Sequence, residues 1–159
     1  MNSINKRKIL YPHLDSTLSK IATTMHHVCC LLDDLYDINC GGCCYVAWCL
    51  SSLLNDDNID YNVEVVSSYE ELENCNSFDE LDDCHSHYGI SINGYYININ
   101  ECEIEDAMYH NTFENVSPDE LIEHYNTNYW NSCYDVSKND FIYDIVKRFY
   151  YECTESLRE

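Results

Sequence analysis

Apolar residues recur at steps of three and four positions in three long stretches of the chain, and this spacing predicts three α-helices. The first spans 16–36, where Asp15 or Ser16 can cap the helix. The second spans 43–55 and ends at an acidic, asparagine-rich segment, and the third spans 139–155. Each helix therefore has an apolar face that can pack against a common core.

Alternation of apolar and polar residues predicts β-strands in the middle of the chain. One strand is expected at 60–66. A hairpin is expected at 86–99, because Asn93-Gly94 is a favourable pair for a two-residue turn between strands. Two of the predicted strands are thus adjacent in sequence and run antiparallel.

The remaining segments predict shorter helices. Residues 68–84 are acidic and favour one or two short helices, whereas residues 103–115 are ambiguous. The segment Ser117–Glu120 predicts the start of a helix that runs to about 126, with serine as its cap and proline in its first position. The side chains expected to anchor the acidic segment to the core are Tyr69, Leu72, Phe78 and Leu81.

This order of elements predicts an α+β fold in which helices pack on a small antiparallel sheet. The chain has 159 residues, which suits a single domain over 1–159. The polar N-terminal stretch, residues 1–12, is expected to form a flexible arm.

Charge is distributed unevenly along the chain. The net charge is -21, and residues 21–137 carry 23 Asp and Glu but no Lys or Arg. Such a surface repels nucleic acid and anionic membranes, so neither is expected as a partner. A protein or peptide substrate rich in Lys and Arg is favoured by this charge, and a solvated acidic surface accounts for the same pattern.

The cysteine content and the N-terminal sequence bear on the cellular compartment of the protein. The chain has 11 cysteines, no apolar stretch typical of a signal peptide and no run of membrane-spanning length. We therefore expect a cytoplasmic protein whose thiols are mostly reduced, with several cysteines buried as small core residues.

The segment Asn39–Ala47 is the strongest candidate for chemistry. Two glycines precede Cys43, which opens the second predicted helix, so the thiol lies at the positive end of a helix dipole. The main-chain amides of Cys43 and Cys44 can serve as donors to an oxyanion. Either cysteine can be the nucleophile, and packing of both against the core is the structural alternative.

His87 opens the first hairpin strand and can act as the base for such a thiol. The nearby His85 fits an exposed loop better. Strand pairing around the turn places Asn100 opposite His87 and Asn98 diagonal to it, and either amide can orient the imidazole. Strand geometry alone favours Asn100.

These residues resemble the nucleophile segment and the histidine hairpin of papain-like cysteine proteases and transglutaminase-like proteins. Cys40-Gly-Gly-Cys43-Cys-Tyr-Val-Ala is similar to the nucleophile helix start, and Ser86–Asn98 is similar to the hairpin of the small phage-type members. The resemblance implies a papain-like core in which Cys43 is the nucleophile, His87 the base and Asn98 the orienting residue. Asp37 stands where papain has its oxyanion glutamine.

A metal site is the alternative use of the same region. Cys40, Cys43, Cys84 and His87 form two pairs with the spacing of a structural zinc site. A regular helix start and a regular strand are unusual places for zinc ligands, so no cofactor is expected. The pair His26-His27 is a weaker candidate, because one of the two faces solvent in any helical register.

The sequence therefore predicts a small thiol hydrolase or acyl-transfer enzyme that acts as a peptidase, amidase or transglutaminase-like protein. Two alternatives from other classes are an acidic inhibitor or charge mimic that binds a basic protein surface, and a zinc-stabilised interaction module.

Overall fold

The computed structural model describes residues 13–73, 75–81, 86–100, 104, 109–128 and 134–155. Within these ranges the chain forms five α-helices and a four-stranded antiparallel sheet, which confirms the α+β class. The helices are α1 (His13–Tyr36), α2 (Cys43–Asp56), α3 (Tyr69–Leu72), α4 (Pro118–Asn128) and α5 (Asn139–Thr154). The strands are β1 (Asn62–Ser67), β2 (His87–Ile92), β3 (Tyr95–Ile97) and β4 (Tyr109–Glu114), and short 3-10 turns cover Phe78–Glu80 and Val136–Lys138.

The strand order across the sheet is β3-β2-β1-β4. The predicted hairpin is present, with Ile90 opposite Ile97 and Ile92 opposite Tyr95. The strand β4 lies in the segment that gave no clear prediction, and it pairs along the whole of β1. The sequence of β4 lacks the alternation of apolar and polar residues that predicts a strand, because only Phe113 of its six residues is buried, as is common for an edge strand.

The two faces of the sheet differ in polarity. Val63 pairs with Ile90 and Val65 with Tyr88, and all four side chains belong to the core that the helices cover. On the opposite face Glu64 is buried, and its carboxylate accepts hydrogen bonds from the side chains of Ser91, Thr112 and His110 at 2.8, 2.6 and 2.9 Å. Buried polar groups require such partners, so this network lets a carboxylate occupy the centre of the sheet.

The helix α2 is the centre of the helical layer and packs against β2, α4 and α5. Ten of its fourteen residues are buried, which explains its apolar character on several sides. The helix α4 begins with a reciprocal cap: the Ser117 hydroxyl accepts from the Glu120 amide at 3.2 Å, and the Glu120 carboxylate accepts from the Ser117 amide at 2.7 Å. The predicted helix start is therefore confirmed.

Several sequence predictions differ from the structure. The helix α1 begins at His13, so Asp15 and Ser16 lie inside its first turn rather than capping it. Tyr69 is 49% exposed and stacks edge-on against Tyr109 instead of anchoring the acidic segment, whereas the other three anchors are buried. The predicted pairing beyond Ile97 is absent from the described ladder, because the chain turns at Asn98 with φ of 63°.

None of the helices in the described ranges has the length and apolar character that crossing a bilayer requires. The predicted arm at residues 1–12 lies outside the described residues.

Candidate functional site

Cys43 lies at the first position of α2, as the sequence predicts. The preceding residue, Gly42, offers no side chain to cap the helix, so the first amides of α2 depend on other partners. A Cβ atom at Gly42 would lie 2.8 Å from the ring of Tyr134, so only glycine fits between that ring and the helix start. The helix start is thus closely packed around the Cys43 main chain.

The Cys43 thiol is buried and donates to the carbonyl oxygen of Ser86, with Sγ and O 3.7 Å apart. Ser86 directly precedes His87, so the thiol reaches the start of β2, one residue before the predicted base. Neighbouring residues of a strand point to opposite faces, and Tyr88 belongs to the core that the helices cover, so the side chain of His87 points to the other face of the sheet. The structure therefore brings Cys43 to the main chain beside His87, and its described hydrogen bond is with Ser86.

Cys44 occupies a different environment. Its Sγ lies 3.8 Å from the carbonyl oxygen of Leu121 on α4. Burial, together with the neighbouring Cys43, raises the pKa of the Cys44 thiol well above its ordinary value. A thiol that resists ionisation is a poor nucleophile, so the raised pKa counts against Cys44 in that role.

His87 is held by Asn98. Its Nε2 lies 2.5 Å from the main-chain oxygen of Asn98. A carbonyl oxygen can only accept, so Nε2 carries the proton and the neutral ring has its lone pair on Nδ1. The expected partner of the histidine is therefore in place, although its main chain rather than its side-chain amide makes the contact.

Asn98 connects three segments at this point. Its main-chain amide donates to His26 Nδ1 at 3.1 Å, and its side-chain amide donates to Asn39 Oδ1 at 2.9 Å. Asn98 is 5% exposed, and its left-handed backbone is one that asparagine tolerates well. This arrangement links α1, the loop before α2 and the hairpin.

Gly89 allows that arrangement. A Cβ atom at this position would lie 2.5 Å from a side-chain carbon of Ile99 and 2.7 Å from the main-chain oxygen of Ile97. The segment after β3 therefore crosses closely over β2, which a larger residue would prevent. Because of this crossing, Asn98 reaches the ring of His87.

A second histidine lies near Cys43. His124 on α4 is buried, and its Nε2 lies 2.7 Å from the hydroxyl of Tyr88. Burial lowers the pKa of His124 below its ordinary value. Asn128, one turn later on α4, lies 3.1 Å from His124 Nδ1. No sequence pattern points to Tyr88, His124 or Asn128 as site residues; the spacing of four between His124 and Asn128 places those two on one helix face.

The remaining predicted site residues are placed as follows. Cys40 is exposed and disulfide-bonded, and its partner lies outside the described residues. Asn100 is exposed, and Cys84 and His85 are not among the described residues. His26 is half-buried and His27 is exposed, as expected for adjacent helical residues. Other cysteines, such as Cys29, Cys49 and Cys153, are buried free thiols, which confirms the packing role predicted for several of them.

The zinc alternative gains no support from this geometry. A cysteine in a disulfide has no thiolate to offer a metal, which removes Cys40 as a ligand in this bonding state. Among the described residues, which include Cys43 and His87, no group of three or more His, Cys, Asp or Glu side chains is arranged to hold a metal ion.

Comparisons with protein-family models, with curated proteins and with solved structures found no match.

Proposed function

We propose that this protein is a thiol hydrolase or acyl-transfer enzyme of papain-like type, in which Cys43 is the nucleophile, His87 the base and Asn98 a positioning residue. The observation that carries the proposal is the contact of the Cys43 thiol with the carbonyl of Ser86, which puts the sulfur at the start of a buried helix and beside the residue that bears the imidazole. Helix starts favour the thiolate form and supply amides for an oxyanion.

The tautomer of His87 suits this role. Asn98 holds the proton on Nε2 and so leaves the lone pair of a base on Nδ1. Because His87 is the first residue of β2 and points away from the face that α2 covers, the proton of the thiol would have to pass around the end of the strand to reach Nδ1. Transfer requires the thiol hydrogen to leave the Ser86 carbonyl. The thiolate then attacks the carbonyl carbon of an amide or ester, and the protonated imidazole delivers its proton to the leaving group. Water or an amine releases the acyl group.

The acidic surface favours substrates that carry Lys or Arg. Within residues 21–137 there is no cation to offset 23 carboxylates, so a basic peptide is attracted and an acidic one is repelled. The same observation supports an alternative function, in which the protein is an acidic inhibitor or charge mimic that binds a basic protein surface. In that case removal of the Cys43 thiol would leave binding intact, and high salt would weaken it strongly.

Alkylation by iodoacetamide at mildly acidic pH, with mass-spectrometric assignment of the labelled cysteine, tests the proposal. We expect rapid labelling of Cys43 and slow labelling of Cys44, and we expect Cys43→Ala to abolish turnover of p-nitrophenyl acetate. Cys49→Ala is the matched control, because it removes a buried thiol from the same helix. Equally slow labelling of all thiols would contradict the proposal.

A further inference from the structure

Apolar side chains are exposed where the C-terminal end of α1 meets the first turn of α5. Leu31 and Leu35, one turn apart on α1, are 51% and 61% exposed, and Phe141 on α5 is 51% exposed. Tyr36 joins the two helices, since it follows Leu35 in the chain and its ring meets that of Phe141 edge-on, with the centroids 5.8 Å apart. We call these four side chains the α1–α5 patch.

The packing of α1 places both leucines on the flank that faces α5. The helix packs against the hairpin strand β3 and against α5. His26 marks the hairpin flank, because its Nδ1 accepts from the amide of Asn98. Leu35 follows His26 by nine residues and Leu31 follows it by five, which rotates them by about 180° and about 140° around the helix axis. Both leucines therefore lie away from the hairpin, beside α5.

Carboxylates border the patch on both helices. Asp34 lies three residues after Leu31, and Asp144 lies three residues after Phe141. Residues with this spacing are neighbours on a helix surface. Both aspartates are exposed. The patch thus combines an apolar centre with negative charge on its outer side.

Cations do not offset this negative charge. The chain has no Lys or Arg between Lys20 and Lys138. The cations that follow each interact with a group of their own: Lys138 with Asp135, Lys147 with the ring of Tyr143, and Arg148 with Glu152. With a net charge of -21, the protein surrounds the patch with a negative potential.

We propose that the α1–α5 patch is a docking surface for an amphipathic helix of a partner protein, whose apolar face is flanked by Lys or Arg. Single exposed apolar side chains are ordinary, but a group of them bordered by charge is typical of sites at which proteins bind one another. An amphipathic helix can lay its apolar face along the seam between two helices. The basic residues beside that face then meet Asp34 and Asp144. The inference does not depend on the chemistry of Cys43.

Two other occupants fit the patch less well. A second copy of the chain brings another net charge of -21, which opposes association. The chain's own Lys6–Tyr11 segment has basic and apolar residues, but Ile9 lies only four residues before His13 and so reaches at most about 14 Å from it. Leu31 lies 18 residues after His13 on α1, which is about 27 Å along the helix. This segment therefore does not reach the patch of its own chain.

A synthetic peptide of about 14 residues, or four helical turns, with leucines on one face and lysines on the other, tests the proposal. Its binding to the original protein is measured by isothermal titration calorimetry. We expect Leu35→Ser and Phe141→Ser each to weaken binding by about tenfold, because each removes part of the apolar centre. Cys43→Ala should bind as the original protein does.

Tyr69→Ser is the matched control for the apolar variants. Tyr69 is 49% exposed, close to the value of Phe141, and it lies on α3 beside Tyr109 of the opposite sheet edge. Its substitution should leave binding unchanged. If a serine variant does not fold, backbone amide chemical shifts of the original protein locate the peptide instead. The largest changes should then fall on residues 31–36 and 140–145.

The contribution of charge is tested separately. The double variant Asp34→Asn/Asp144→Asn should weaken binding, whereas Glu114→Gln/Glu123→Gln, which removes the same charge from exposed sites elsewhere, should have a smaller effect. A peptide with glutamate in place of every lysine should not bind. In about 1 M NaCl, where charges are screened beyond about 3 Å, binding of the lysine peptide should weaken.

Several results would overturn the proposal. One is the absence of binding at about 1 mM lysine peptide. Another is binding that Leu35→Ser and Phe141→Ser leave unchanged, because the peptide would then be held by charge alone. Equal binding of the glutamate peptide would exclude a basic partner. A dimer of the peptide-free protein that Leu35→Ser dissociates in sedimentation would show that a second copy occupies the patch.

Discussion

His87 donates a hydrogen bond through Nε2 to the main-chain oxygen of Asn98, with 2.5 Å between the two atoms. Main-chain atoms move less than side chains, so this contact orients the ring more rigidly than an amide side chain would. The side chain of Asn98 is used elsewhere, in its bond to Asn39. An Asn98→Ala protein would therefore retain the acceptor of His87 while losing the link to the loop before α2.

Gly89→Ala should damage both stability and activity. The added methyl group would meet Ile99 at 2.5 Å and the oxygen of Ile97 at 2.7 Å, so the segment that carries Asn98 must shift away from His87. We expect the free energy of unfolding, measured in urea, to fall by about 1–3 kcal/mol. Acylation of Cys43 should fall with it.

Gly94→Ala is the control for Gly89→Ala. It lies at the hairpin turn with φ of 84°, and nothing is within 4 Å of its added methyl group. Gly94→Ala should therefore lower the free energy of unfolding only by the backbone strain at this position, about 1 kcal/mol. An equal acylation rate in Gly89→Ala and in the original protein would contradict the view that this crossing positions the histidine.

Ser86→Ala should stabilise the protein. The Ser86 side chain is 3% exposed, and its hydroxyl has no hydrogen-bond partner among the described residues. A buried hydroxyl without a partner is destabilising, so its removal should raise the free energy of unfolding by about 1 kcal/mol. The substitution leaves the main-chain carbonyl of residue 86, which accepts the hydrogen bond of the Cys43 thiol, unchanged.

Ser51→Ala provides a comparison of opposite sign. Ser51 is fully buried, and its hydroxyl donates to the carbonyl of Trp48 at 2.9 Å. Its loss should lower the free energy of unfolding by up to about 1 kcal/mol. A destabilised Ser86→Ala protein would show that the hydroxyl has a partner in solution.

Acid should destabilise the protein partly through His124. Burial lowers the pKa of His124 in the folded state, while the unfolded chain has the ordinary value of about 6.5. As the pH falls, His124 therefore binds a proton in the unfolded state at a higher pH than it does in the folded state. The stability that neutral His124 contributes is present above about pH 6.5 and is lost as the pH falls through the folded pKa.

The difference between the original protein and His124→Gln isolates this contribution. Urea unfolding between pH 5 and pH 8 should show a smaller loss of stability on acidification in the variant, since glutamine does not titrate. Parallel pH curves for the two proteins would show that His124 has an ordinary pKa in the folded state.

The sequence by itself determined the local features of the molecule. The helix α2 begins at Cys43, the Asn93-Gly94 turn joins β2 and β3, and Ser117 caps α4, all as the pattern predicts. These features depend on residues a few positions apart, whose hydrogen bonds and apolar spacing are written directly in the sequence. The start of α1 was missed because side chains with capping ability also occur inside helices.

The tertiary structure decided what surrounds Cys43. The edge strand β4 has one buried residue and becomes visible only through its pairing with β1. His124 and Tyr88 lie 81 and 45 positions from Cys43, and no local pattern records that α4 and β2 enclose a cavity at the start of α2. Their meeting depends on how the helices pack on the sheet, because contacts between distant segments follow from the shared burial of their apolar faces. The sequence is therefore enough to identify Cys43 as the candidate thiol, whereas the side chains that surround it are known only from the packing of the fold.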